Sequence, residues 1–340
     1  MEGLHALPSV TRLSKSVVRI LGQNPGEFTL QGTNTYLVGE HNPYILIDTG
    51  DGREEYIPVL ESALREVEPE SVDLPDVSDI IVTHKHHDHA GGLPLVLPLL
   101  RRLWGDKHAA SSSPFHPPRI HKLPLPSPDT RLQGILDSIP AGSYTPAPSG
   151  GPIHDIHDSQ TFQVTTASVN PELSVLQVLH TPGHTLDSLC LYFPADRALF
   201  TADTVLGYGS AVFEDLGMYM ASLRKMIDFG QGDSSTGPRY GTVYPGHGPA
   251  ASDGLKHVSV YLQHRVKREE EILAALQQSS LSDNPWTTWK LVSSIYSAYP
   301  RSLWEPAAHS VDLHLRKLES EGRVEYLSGV GKDTEWEFIG

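Results

Sequence analysis

The chain has 340 residues, 39% hydrophobic and 20% charged, enough apolar material for a large buried core and one further small domain. It carries 26 Lys and Arg against 41 Asp and Glu, a net charge of −15, which is a poor match to the cationic surfaces that neutralise nucleic-acid phosphates. No apolar run reaches membrane length, and residues 1–14 lack both the apolar core of a signal peptide and the Arg-rich character of an import presequence. The single cysteine, Cys190, allows no intrachain disulfide, so a reducing, cytoplasmic location is expected, with the thiol a small hydrophobe in a strand.

Residues 17–21, 35–38 and 44–48 are rich in β-branched and aromatic side chains and predict consecutive strands. Ile57, Leu60, Leu64 and Val67 recur at helical spacing and predict a helix over 54–67. Residues 79–83 predict the next strand, which runs into Thr83-His84-Lys85-His86-His87-Asp88-His89-Ala90-Gly91-Gly92. His84, His86, Asp88 and His89 offer imidazole nitrogen and carboxylate oxygen, the donor set of zinc, manganese or iron rather than of calcium. Alternation lets His84 and His86 face one way, while the following turn swings Asp88 and His89 to a second position. His87 is read as solvent-facing or as supporting a ligand.

From 108 to 152 prolines, serines and glycines dominate, and the segment reads as an insertion outside the core, either a substrate lid or a surface loop. Arg101, Arg102, Lys107, Arg119 and Lys122 form the densest basic region, either a solvated face or a docking patch. Strand patterning resumes over 153–194 and 198–201. Three further turns then place a candidate ligand just past a strand: Thr181-Pro182-Gly183-His184-Thr185, Thr201-Ala202-Asp203-Thr204 and Tyr244-Pro245-Gly246-His247-Gly248. Small-residue turns at rigid strand ends are where a multi-segment metal site is built. After Asp203, the residues Tyr208, Val212, Phe213, Leu216 and Met220 could line an apolar mouth, with core burial the stronger reading for Phe213 and Leu216. Helices are expected over 218–229 and 252–278. No Gly-x-Ser-x-Gly nucleophile motif occurs.

The ordered motifs THxHxDH, TPGHT, TADT and PGHG resemble the metallo-β-lactamase superfamily. The resemblance implies an α/β fold, a four-layer αββα sandwich. It implies one metal held by His84, His86 and His184, a second held by Asp88, His89 and His247, and Asp203 bridging them. Two zinc ions are expected, with Mn²⁺ or Fe²⁺ as alternatives, and Asp88 is also expected to act in catalysis by orienting the attacking hydroxide. True β-lactamases of the superfamily generally lack the bridging Asp, so Asp203 argues against antibiotic hydrolysis. Asp48 would support the ligand loop, a helix N-cap being the alternative.

Residues 20–26, 30–37, 211–216 and 261–265 further resemble the LACTB2-like branch of that superfamily. That branch contains a mitochondrial single-strand endoribonuclease in animals and, in filamentous fungi, thioesterases that release aromatic polyketides from an acyl carrier protein, the atrochrysone carboxyl ACP type. Leu4-His5-Ala6-Leu7-Pro8 and the proline-rich segment look more like the fungal members. The expected function is therefore zinc-dependent thioester hydrolysis in polyketide biosynthesis, by attack of a metal-bound hydroxide, with a polyketide synthase acyl carrier protein as partner. The alternative is the endoribonuclease.

The sequence divides into a hydrolase domain over 1–278 and a C-terminal domain over 279–340. In the latter, helices over 287–296 and 305–321 precede two strands near 322–326 and 335–338, which resembles a winged helix. The second helix mixes Arg316 and Lys317 with Asp312, Glu319 and Glu321, so a structural role is expected over contact with nucleic acid.

Overall fold

A computed structural model describes residues 5–66, 71–109, 113–167, 170–232, 237–279 and 285–340, and counts of elements and contacts refer to these residues. Leu4, Val67, Ser111, Ser112 and the stretch 280–284 lie outside them. Among the described residues no helix is long and apolar enough to cross a membrane.

Strands β1 (Val10–Arg12), β2 (Val17–Leu21), β3 (Asn34–Val38), β4 (Tyr44–Ile47), β5 (Val77–Val82), β6 (Arg119–Lys122) and β7 (Ile153–Asp155) lie side by side in chain order. The first four pair antiparallel, and β4 through β7 pair parallel. The second sheet holds β8 (Thr161–Gln163), β9 (Val175–His180), β10 (Leu189–Phe193), β11 (Ala198–Ala202), β12 (Thr242–Pro245) and β13 (Ala251–Ser252), also in order, with β11 and β12 parallel.

Strand alternation decides the layering. In β3 and β4, Tyr36, Val38, Ile45 and Ile47 meet Val178, Leu191 and Phe200 between the sheets. The intervening Leu37 and Leu46 face the helices α1 (Tyr56–Arg65), α3 (Leu93–Lys107) and α4 (Thr130–Asp137), beyond the short α2 (His87–Ala90). On the far side Cys190, Leu199 and Val243 pack against α5 (Leu216–Gln231) and α6 (Gly254–Ser279). The result is the four-layer αββα sandwich. Cys190 is fully buried, and burial pushes its thiol up to about 11, so it is inert.

The segment 108–152 departs from the expectation of an insertion outside the core. β6 sits between β5 and β7 with Ile120 buried, and α4 sends Leu132 and Ile135 into the helical layer. The basic region also dissolves. Arg102 pairs with Glu61 at 2.5 Å, Arg119 with Asp79 at 2.8 Å, Lys107 with Asp76 and the buried Lys122 with Asp187. Paired with carboxylates, these four cations leave little free positive charge for a docking patch, although Arg102 and Arg119 stay about half exposed.

The C-terminal winged helix comprises α7 (Thr288–Ile295), α8 (Trp304–Ser320) and a sheet of β14 (Trp286–Thr287), β15 (Val324–Ser328) and β16 (Glu335–Phe338), with β16 central. The strand β14 is one more than the two-strand wing expected. Trp336, Leu291, Val311 and Leu315 form a core with Ile272 and Leu276 of α6, so this unit is packed onto the sandwich through a shared helix. On α8, Arg316 pairs with Asp312 at 2.9 Å and Lys317 with Glu269 at 2.6 Å, leaving little free positive charge on that helix.

Candidate metal centre

The loop after β5 is fixed from below by Asp48. Its backbone takes the left-handed conformation, φ +59°, directing the carboxylate at the loop. One oxygen accepts from the Thr83 amide at 2.8 Å, and the other accepts from the Thr83 hydroxyl at 2.8 Å and from His89 Nδ1–H at 2.7 Å. Glu55, not Asp48, occupies the N-cap of α1, so the supporting role is the one realised. Asp48→Asn would present an N–H₂ where an acceptor is needed. The expected result is a roughly 10–100-fold loss of divalent-metal affinity in a chelator competition titration, with stability falling by about 1–3 kcal/mol; wild-type affinity would show that Asp48 does not orient His89.

The candidate ligands gather into two groups. His84, His86 and His184 converge: His84 Nε2 and His184 Nε2 each lie 3.0 Å from His86 Nδ1 and 3.2 Å from one another. His184 Nδ1–H donates to the Val212 carbonyl at 2.8 Å, and His84 Nδ1 lies 3.1 Å from the Thr83 hydroxyl. Those bonds place the protons on the far ring nitrogens and leave bare lone pairs facing one another. In the second group His89 Nε2 lies 3.3 Å from Asp88 Oδ2, and His247 Nε2 lies 3.2 Å from the same oxygen. Asp203 stands between the groups, with Oδ1 at 3.4 Å from His89, and Oδ2 at 3.2 Å from His247 and 3.6 Å from His184. The buried His89 Nε2 and Asp203 Oδ1 have no hydrogen-bond partner. Clustered lone pairs and orphaned buried polar atoms are what a cation would satisfy, and the nitrogen and carboxylate donors suit a divalent one.

The electrostatics differ between groups. Burial, reinforced by His184, pushes His86 down to about 4, and burial holds His84 well below the usual imidazole range, so those rings are neutral. Burial also opposes charge on His247, but Asp203 outweighs it and lifts this imidazole to about 9. In the second group protons supply positive charge that a divalent cation would replace.

Backbone outside the ligand turns completes the site. Asn34 Nδ2 donates to the Pro245 and Gly248 carbonyls at 2.9 and 2.8 Å, and Tyr36 Oη–H donates to Pro245 at 2.7 Å, clamping the His247 turn. Thr33 Oγ1 donates to Asp88 Oδ2 at 3.1 Å. The Thr33-Asn34-Thr35-Tyr36 run was visible in the sequence, but its role needs a contact across some two hundred residues. His87 is exposed and outside both groups, and Lys85 pairs with Glu214 at 2.9 Å.

His86, Asp88, His184, Asp203 and His247 face a cavity of about 490 Å³. Its wall is mainly apolar, formed by Phe28, Leu30, Leu206, Tyr208, Ala211 and Val212, with Glu27, Thr29 and Ser210 beside them, and it has no Lys or Arg. Of the expected apolar mouth, Tyr208 and Val212 line it, whereas Phe213, Leu216 and Met220 are core. Phe28, 75% exposed on the rim, had no recognisable signal in the sequence. Nothing from 113–152 lines this cavity, so those residues form no lid over it.

Residues 28–247 match the metallo-beta-lactamase superfamily, and residues 287–336 match the beta-lactamase associated winged helix domain. The "Beta-lactamase-like protein 2 homolog" of Drosophila melanogaster is 35% identical over 98% of this chain and 96% of its own length. The "Atrochrysone carboxyl ACP thioesterase" of Claviceps purpurea is 32% identical over 97% of this chain and 89% of its own. The crystal structure of a beta-lactamase domain protein from Burkholderia ambifaria superposes with a TM-score of 0.65 at 16% identity, covering 98% of this chain and 95% of that one.

Proposed function

The chain belongs to the metallo-β-lactamase superfamily, and from that premise we propose that it is a zinc-dependent thioesterase releasing an aromatic polyketide from an acyl carrier protein. The observation that carries the reading is the wall of the cavity beside the two ligand groups. It is mainly apolar, with Glu27, Thr29 and Ser210 as its polar members, and it has no Lys or Arg, which suits an uncharged acyl chain and gives the phosphates flanking a scissile one no side-chain counter-charge. The relatives named as atrochrysone carboxyl ACP thioesterases support it along most of the chain.

His84, His86 and His184 would hold one cation and Asp88, His89 and His247 the other, with Asp203 reaching both. Bound there, two divalent cations supply Lewis acidity toward a water and a carbonyl oxygen. Asp88 opens onto the cavity, and although burial opposes its charge, His89 and His247 keep it ionised far below the usual carboxylate range. So weak a base orients water by accepting its hydrogen bond. The Thr33 hydroxyl holds this carboxylate in place. The acyl chain would rest along Phe28, Leu30, Tyr208 and Val212. Water oxygen bonds to the acyl carbon, the C–S bond breaks, and the thiol departs with one proton while the acid retains the other.

The test incubates the purified protein with a carrier-bound aromatic polyketide and, separately, with single-stranded RNA. About two zinc equivalents by elemental analysis, with release of the polyketide acid that a chelator stops and zinc restores, is the expected result. Cleavage of RNA alone would establish the endoribonuclease instead.

A further inference from the structure

A second groove, of about 360 Å³, lies between α6, the start of α8 and residues 210–213. It shares Ser210, Ala211 and Val212 with the cavity beside the ligand groups, so one stretch of chain separates the two. That lip is held from both sides: Val212 accepts from His184 at 2.8 Å, and Ala211 accepts from Arg265 Nη2–H at 3.0 Å.

The groove has the opposite character to the cavity. Arg265 is only 6% exposed, and among the described residues no carboxylate lies within ion-pair distance of it, in a chain of net charge −15. It is propped by the rings of Phe213 at 4.9 Å and Tyr219 at 5.9 Å, and its Nε has no acceptor. Arg268 lies 4.3 Å over Tyr296 and pairs with Glu271 at 2.9 Å. Burial together with Arg265 and Arg268 holds the neighbouring His264 below the usual imidazole range, which marks a positive potential. Tyr299 and Leu303 add an exposed apolar flank. A buried guanidinium without a counter-ion is costly, and a planar guanidinium matches a phosphate in charge and shape.

We propose that this groove is a phosphodiester subsite that seats the phosphate end of a phosphopantetheine arm while the thioester end reaches across the Ala211–Val212 lip. The inference rests on the thioesterase reading for its ligand. A pantetheine arm joins a thioester at one end to a phosphodiester at the other through an uncharged, partly apolar chain. The two cavities present those chemistries in the same order: ligand groups with an apolar wall, a narrow lip, then guanidiniums beside Tyr299 and Leu303. An RNA strand would instead run its flanking phosphates along a cavity wall that holds Glu27 and no Lys or Arg.

Calorimetric titration of the full zinc-loaded chain with 4′-phosphopantetheine, pantetheine and a single-stranded RNA oligonucleotide tests this without turnover. Phosphopantetheine is expected to bind about tenfold more tightly than pantetheine, the worth of one hydrogen bond to a charged group. Arg268→Ala should remove most of that difference, leaving pantetheine affinity as it was, with folding checked by circular dichroism. His264→Ala, at an exposed position, should reduce the same difference if the arginine variant does not fold. Equal affinity for the two arms, or RNA binding that depends on Arg268 while phosphopantetheine binding does not, would overturn the proposal. Phosphate-dependent binding without thioester hydrolysis would sustain the subsite and remove the thioesterase reading; hydrolysis without phosphate discrimination would do the reverse.

Discussion

Asp203→Ala is expected to lower turnover by roughly a thousandfold or more, about 4 kcal/mol of lost transition-state stabilisation. Asp203 is the one side chain common to both ligand groups, with Oδ1 toward His89 and Oδ2 between His247 and His184. Without it, Asp88 would be the sole carboxylate facing two divalent cations, and each group would lose an oxygen donor. The zinc content should fall below two equivalents as well. Asp203→Asn separates charge from shape: the amide fills the same space against Gly246, where an added Cβ would lie 2.2 Å from Asp203 Oδ1. It should therefore fold as the wild type yet lose activity nearly as far. Elemental analysis and turnover on both variants decide the matter, and wild-type rates in either would remove a two-metal mechanism. His86→Ala should fail in the same way, through the other group.

How much of this was legible in the sequence depends on how local each determinant is. The ligand turns were readable because each is a short run of small residues with one His or Asp at a strand end. The sandwich was readable in strands such as Ile45-Leu46-Ile47, where adjacent apolar residues serve different layers. β6 was not, because Arg119-Ile120-His121-Lys122 has one apolar residue in four and prolines on both sides. Its polar side chains are tolerated in a parallel sheet because Asp79 takes both Arg119 and His121, at 2.8 and 2.7 Å, and Asp187 takes Lys122. Those partners are 40 or more residues away, beyond any window of periodicity. Arg265 was hidden for the same reason: its acceptor, Ala211, is 54 residues upstream. Helix limits shifted by one or two residues, as with α1 at Tyr56–Arg65, because the ends depend on capping and packing rather than on apolar spacing.

Gly183→Ala should be a strongly damaging single-methyl change beside the site, costing about 3 kcal/mol or more in unfolding experiments. Gly183 has φ +132°, and a Cβ there would lie 2.3 Å from both N and Cα of Tyr219 and 2.6 Å from its Cβ. The first two are backbone atoms of α5 and the Cβ is fixed by them, so no rotamer change relieves the contact. Nor can the helix retreat: Tyr219 Oη–H donates to the Thr204 carbonyl at 2.7 Å, and its ring stacks on Phe213 with centroids 5.2 Å apart. The turn is held from the other side, since the Gly183 carbonyl accepts from the Glu214 amide at 2.8 Å and Pro182 accepts from Ser222 Oγ–H at 2.7 Å. Relief must come from displacing the turn, and His184 is the next residue, so zinc affinity should fall together with stability. Gly134→Ala in α4 is the control, because its added Cβ meets nothing within 4 Å and a helical Gly→Ala change gains up to about 1 kcal/mol. Equal stability and equal zinc binding in the two variants would mean that α5 does not bear on the Thr181–Thr185 turn, and that the glycine before His184 serves only to bend the chain.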